Sequence, residues 1–188
     1  MLKALFLTHR YLGIFLGVLM VVWCLSGFIM MYKSYPELTE AELLSLLPEF
    51  SNENCCTELS VPGLDEQEYQ QFRLQMLEGM PVLHLEAEDG RLITIDLKHS
   101  RVFHSIQAMF AEQMVDEFSS RSGYPDAQLE SPIHNDQWTV YGAYDPHRPL
   151  YRVNANDSVG TQWYLSSRTG EIVQLTTREE RVWGFLGA

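Results

Sequence analysis

From Tyr11 to Tyr32 the chain reads YLGIFLGVLMVVWCLSGFIMMY, without a single charged side chain. At about 1.5 Å per residue such a run spans roughly 33 Å as a helix, enough to cross the hydrocarbon core of a bilayer. Backbone amides inside lipid have no water to bond, so a spanning segment must be helical. Polar character returns at Lys33, and Tyr35-Pro36 closes the helix exit, because a residue before proline is pushed out of helical geometry.

Beyond that point the pattern shortens. In TEAELLSLLPEF, Thr39 precedes Glu42 by three residues as in a capping box, and Pro48 stops a short amphipathic helix. SNENCCTELSVPG is polar and turn-rich and reads as a loop. DEQEYQQFRLQMLEG places Tyr69, Phe72 and Met76 on one face, with Leu77 less regular, and predicts a helix ending at Gly79. PVLHLEAEDGRLITIDLKHSRVFH alternates through Val82, Leu83, Leu85 and Ala87, turns at Asp89-Gly90 and predicts a hairpin with RVFH as a third strand. A helix over roughly Ser105 to Ser119 follows, with Ile106, Met109, Phe110, Met114 and Phe118 near helical spacing, until Gly123-Tyr-Pro breaks it. QLESPIH, DQWTVYGAY, PLYRVNAN and TQWYLSS then read as strands, with the turn SRTG leading into EIVQ. The last stretch, TTREERVWGFLGA, turns helical and brings Trp183 and Phe185 beside Arg178 and Arg181, the composition of a chain nearing a membrane interface.

The two strand regions overlay. PVLHLEAED and GRLITIDLKHSRVF match PLYRVNAND and GTQWYLSSRTGEIV with only Ser158 and Val159 inserted, so that Pro81 falls on Pro149, Asp89 on Asp157, Gly90 on Gly160 and Val102 on Ile172. Each copy is read as preceded by an amphipathic helix. The expected fold is therefore α+β: an N-terminal transmembrane helix (1–34), then two tandem units of helix plus antiparallel sheet (35–104 and 105–175), and a segment returning toward the membrane (176–188).

Charge sets the expected orientation. Of 13 Lys and Arg, only Lys3 and Arg10 precede the end of the apolar run, whereas all 25 Asp and Glu follow it. Basic flanks stay cytoplasmic, which places the N-terminus inside and residues 33–188 outside. A cleaved signal peptide is the competing reading, but its apolar core runs only about 7–15 residues before a small-residue cleavage site, and Trp23 and Met30-Met31 offer none. The acidic balance argues against nucleic acid, which demands clustered Lys and Arg. Adjacent Cys55 and Cys56 lie too close for an unstrained bridge with each other, leaving intermolecular pairing, a redox switch, a soft-metal site or a plain loop pair. Cys24 reads as a small apolar residue of the span.

THRYLGIFLGVLMVVWCLSGFIM resembles the first helix of the PepSY-associated transmembrane family, and DPHRPLYRV with TQWYLSSRTGEIV is similar to a PepSY unit. The resemblance implies a bacterial inner-membrane protein with a periplasmic PepSY head, associated with iron uptake and, in some members, with haem-containing reduction of ferric siderophores. It also implies further membrane helices beyond RVWGFLGA, supplied by more chain or by a partner, to complete a haem b site.

Candidate chemistry is sparse. His9 is followed by Gly13 one turn on, which leaves room for a flat macrocycle, and imidazole is a common axial haem ligand. Met20 lies about 16 Å further along the axis and cannot be the second ligand. Placement of His9 and Arg10 at headgroups, with Gly13 and Gly17 as a small-residue packing face, is the plainer alternative. His134 with Asp136, and His147 with Asp145, flank WTVYGAY; such imidazole–carboxylate pairs can bind a metal, although Asp145-Pro146 also reads as a turn. His84, His99 and His104 are expected at the surface of the first hairpin. No catalytic residue is assigned: GxSxG, HExxH, CxxC, a P-loop and GxGxxG are all missing from the sequence. Two roles follow: part of a haem-containing ferric-siderophore reductase, or a non-enzymatic periplasmic binding or regulatory module tethered to the inner membrane.

Overall fold

A computed structural model describes residues 2–50, 64, 68–77 and 79–187. It is α+β, with one long apolar helix followed by two four-stranded antiparallel sheets and short helices. The chain divides into two compact units, Met1–Pro36 with Arg178–Ala188, and Glu37–Thr177.

In the first unit, α1 (Leu2–Tyr32) has no buried residue and is long and apolar enough to cross a membrane. The closing helix α4 (Arg178–Gly187) buries only Gly184 and Gly187. Gly187 sits so close to α1 that an added Cβ would come within 2.7 Å of Met30 Cγ. The charged first turn of α4 lies at the end of α1, where Lys33 Nζ and Glu179 Oε1 are 3.2 Å apart. Val182, Phe185 and Leu186 remain exposed.

The second unit opens with α2 (Glu40–Leu46), capped as its sequence predicts: Thr39 Oγ1 accepts from the Glu42 amide at 3.3 Å, and the Glu42 carboxylate accepts from the Thr39 amide at 2.9 Å. The loop expected at 51–63, with Cys55 and Cys56, lies outside the described residues. The helix expected across Asp65–Gly79 is instead a strand where it is described, β1 (Tyr69–Leu77). Its three-to-four spacing of apolar residues is outweighed by pairing with β2 (Met80–Ala87) through a turn in which Gly79 takes φ +80. Pairing is the stronger determinant because strand preference is set by neighbours more than by intrinsic propensity. β3 (Leu92–Asp96) and β4 (Arg101–Phe103) complete the first sheet in the order β1-β2-β3-β4.

Helix α3 (Ala108–Ser122) begins later than its periodicity predicts, because Ile106 N is drawn into a bond with Ser167 O. Gly123, at φ 81, caps its C-terminus. The second sheet has the order β5 (Gln128–Leu129), β6 (Leu150–Asn154), β7 (Gln162–Ser166) and β8 (Ile172–Thr176). DQWTVYGAY does not form the expected strand: it turns at Asp136–Thr139 and runs into a 3₁₀ helix, Gly142–His147. Side chains satisfy its backbone instead of a ladder, with the Arg148 guanidinium bonding the carbonyls of His134 and Thr139, and Gln174 Nε2 bonding Trp138 O.

The overlay of the two copies holds through the hairpin and the turn that follows it, up to a register shift between Tyr164 and Leu165 that the first copy lacks. Val82 pairs with Asp96 and Leu83 with Ile95, as Leu150 pairs with Ser166 and Tyr151 with Leu165. Asp96 Oδ1 accepts the amides of Lys98 and His99, and Ser166 Oγ those of Arg168 and Thr169. Each turn then reaches positive φ, at Ser100 and Gly170. The copies nevertheless turn opposite faces to their shared core. Val82 from the first packs with Tyr151 and Leu165 from the second, although its counterpart is Leu150, and alternate residues of a strand face opposite ways. Helix α3 lies in this core through Ala111, Met114, Val115 and Phe118, and Trp163 packs against Phe118 and Tyr124 at ring distances of 5.1 and 5.4 Å.

Candidate functional site

The opposed faces bring the β7–β8 turn of the second copy onto the first sheet. Arg73, His84 and Thr94 stand side by side across β1, β2 and β3. Above this row comes Glu171, held by a bond from Ser166 N to its own carbonyl at 2.8 Å. Its carboxylate Oε1 lies 2.8 Å from Arg73 Nη2 and 3.9 Å from His84 Nε2. The other oxygen, Oε2, is buried with no hydrogen-bond partner among the described residues. The Glu171 side chain is only 6% exposed, and an unsatisfied buried acceptor costs about 1–3 kcal/mol.

His84 is buried, which corrects the expectation that it lies at the surface. Gln75 Nε2 donates to its Nε2 at 2.9 Å, and its Nδ1–H donates to Thr94 Oγ1 at 2.8 Å. Burial lowers its pKa from the ordinary value; the Glu171 carboxylate opposes that shift, and Arg73 and His147 reinforce it. His147 is depressed the same way, by burial first, with Glu171 opposing and Arg73 reinforcing.

His147 Nδ1 lies 3.1 Å from Ser166 Oγ. That oxygen already accepts two amide protons, so its hydroxyl is a donor, directed between His147 Nδ1 and the His147 carbonyl at 3.5 Å, with the ring nitrogen the nearer acceptor. This arrangement favours the imidazole proton on Nε2. Ser166 is fully buried and is the cap of its turn, not an exposed nucleophile.

Arg73, His147 and Glu171 form the floor of an open cleft of about 260 Å³. Its walls are mostly apolar, with Leu38 and Leu43 from the α2 region, Tyr144 from the 3₁₀ helix and Ile172 from β8, and include the charged Glu37. Comparison with family models, curated proteins and solved structures finds no match. The geometry of the chain itself must carry the functional reading.

The sequence-level candidates fall elsewhere. His9 is exposed on α1, and an added Cβ at Gly13 would meet nothing within 4 Å. The other five of the six His lie between positions 84 and 147, in the second unit, so the described part of the first unit offers one axial ligand and no enclosure. By itself it does not fit a haem. His134 is exposed, while Asp136 accepts from Arg152 Nη1 at 3.1 Å and from Tyr164 Oη at 3.0 Å. Asp145 pairs with Arg148, and His147 with Ser166. Neither His–Asp couple is therefore a bonded pair, and no group of three or more His, Cys, Asp or Glu suited to a metal ion occurs among the described residues. His99 pairs with Asp96 at 2.6 Å, and His104 is exposed. Cys24 is a free, exposed thiol.

Sequence reasoning missed Arg73, Gln75, Thr94 and Glu171. The overlay holds one signal for the last: Glu171 falls on Arg101 of the first copy, a reversal of charge immediately after the matched turn.

Proposed function

We propose that this chain is a bilayer-anchored binding module, in which α1 spans the membrane and residues 37–177 present the cleft outside it. The observation that carries the reading is the exposure of α1, a 31-residue apolar helix in which no residue is buried and only Ser26, Gly27 and Ile29 are partly covered. Each exposed Leu, Ile or Phe would forgo roughly 1.5–3 kcal/mol in water relative to apolar surroundings. Lipid supplies those surroundings. Helix α4 supports the same picture: its glycine face lies on α1 near Met30, and its exposed Val182, Phe185 and Leu186 face whatever surrounds α1 there. Small residues at such a contact let helices approach closely in lipid. Lys3 and Arg10 before the span and the acidic chain after it favour a cytoplasmic N-terminus and a periplasmic head at a bacterial inner membrane.

A part in a haem-containing ferric-siderophore reductase, implied by the resemblance to PepSY-associated proteins, would use His9 as one axial ligand and take the second from helices of a membrane partner or of further chain. The cleft on the head, by contrast, is built within this chain.

Expression in bacteria, alkaline washing of the membranes and protease treatment of spheroplasts test the anchor. The protein is expected to stay with the washed membranes and to lose its head to added protease. Recovery in the soluble fraction, or a head protected from outside protease, would overturn the reading.

A further inference from the structure

The floor of the cleft has a defined donor and acceptor pattern. Arg73 is 44% exposed and commits Nη2 to Glu171, which leaves further N–H groups of its fork without a partner among the described residues. His147 offers Nε2–H, because Ser166 occupies its other nitrogen as a donor. Glu171 offers a carboxylate with one oxygen unspent. That oxygen is buried at the floor, where a ligand N–H would supply the partner it lacks among the described residues. Two donors thus stand next to one acceptor, beneath walls formed by Leu38, Leu43, Tyr144 and Ile172.

We propose that the cleft binds a peptide segment through one backbone amide: its carbonyl oxygen accepts from Arg73 and His147 Nε2–H, its N–H donates to Glu171, and an apolar side chain lies between Leu43 and Ile172. Three considerations favour an amide over an ion. Arg73 and Glu171 already balance each other's charge and the remaining charged residue of the lining is Glu37, so a free carboxylate would enter without a counter-charge, whereas a neutral amide needs none. The chain carries a formal charge of −12, which repels anions at long range and leaves a neutral ligand unaffected. The cleft is also smaller than the roughly 300–1,000 Å³ of sites for drug-sized ligands, and suits about one residue with its flanking peptide groups.

This deepens the binding-module reading and rests on it for an accessible head, not for the span. The test is calorimetric titration of the detergent-purified full chain with N-acetyl-L-leucinamide, an uncharged probe carrying amide N–H, carbonyl and an apolar side chain. Saturable binding is expected, at least about tenfold weaker in Arg73→Met, where one charge-assisted hydrogen bond is lost. Glu171→Gln should weaken it as well, by placing an N–H donor where the ligand needs an acceptor. Arg73→Met also leaves the buried Glu171 carboxylate without its counter-charge and should lower the melting temperature. Arg73→Lys, which keeps the charge but lacks the fork that serves Glu171 and the ligand together, should melt closer to the parent and still bind more weakly, which separates lost binding from lost folding. The proposal is overturned if N-acetyl-L-leucinamide gives no saturable heat near its solubility limit, if Arg73→Met binds it unchanged, or if 4-methylpentanoate or isoamylamine binds the parent equally well. A membrane-bound chain that fails to bind the probe removes the ligand class and leaves the anchor; a soluble chain that binds it does the reverse.

Discussion

Gly170 and Ser100 occupy equivalent turn positions and both take positive φ, at 76° and 51°. Exchanging their side chains should have unequal effects. In Gly170→Ser the new Cβ enters left-handed backbone, at a cost of about 1–2 kcal/mol. It would also lie 2.8 Å from Met114 Cε and 3.0 Å from Leu77 Cδ2, in the core shared by the two sheets. Overpacking of this kind costs about 1–3 kcal/mol, and the flexible tip of Met114 keeps it toward the lower end. The expected total is about 2–4 kcal/mol. Ser100→Gly removes the left-handed penalty but adds roughly 0.5–1 kcal/mol of unfolded-chain entropy, so its net effect should stay within about 1 kcal/mol. Urea unfolding of the full chain in detergent, followed by tryptophan fluorescence, should lower the midpoint by roughly 1–2 M for Gly170→Ser and scarcely move it for Ser100→Gly. Equal shifts for the two, or a Gly170→Ser midpoint matching the parent, would refute the close packing of this turn and with it the placement of Glu171.

Trp163→Ala should cost about 3–5 kcal/mol, since Trp163 is 1% exposed and packs with Phe118 and Tyr124; the same urea titration measures it, and a loss under about 1 kcal/mol would place the residue outside the core. Stability should also fall as pH drops below the ordinary histidine value of 6.5. His84 and His147 have folded pKa values lowered by burial, so the unfolded chain protonates first; their contribution is complete above 6.5 and is lost as pH falls through the folded values. Asp96 and Asp157, whose values are also lowered, add a separate loss at lower pH, beginning near their ordinary 3.8. Urea midpoints identical at pH 8 and pH 5.5 would contradict the burial of the two imidazoles.

Local chemistry in the sequence predicts α1, the Thr39–Glu42 cap, the Gly123 stop of α3 and the hairpin turns, because each depends on residues within a few positions of one another. The repeat is legible as well, since a shared turn requires similar residues at similar spacing. Failures occur where distant partners decide. β1 has helical spacing but pairs along its length with β2. Residues 137–144 alternate like a strand, yet Arg148 and Gln174 take up their backbone bonds. His84 occupies a position that a sheet with one solvated face would expose, and Glu171 from the turn of the other copy lies over it. Alternation shows that two faces exist; it does not show which one another element will bury.

The cleft depends on the differences between the copies. Had both sheets used the same face, the β7–β8 turn would not lie over the Arg73–His84–Thr94 row. Had the second copy kept a basic residue where the first has Arg101, Arg73 would meet a like charge instead of the Glu171 carboxylate. Likewise, Asp96 in the first copy accepts from the His99 ring through its second oxygen, whereas the matching Ser166 has one oxygen, already filled by two amides, and must donate to His147. That single change from carboxylate to hydroxyl favours the proton of His147 on Nε2. Both halves of the donor and acceptor pattern therefore arise where the second copy departs from the first, while the matched residues serve the turns and the sheet register common to both.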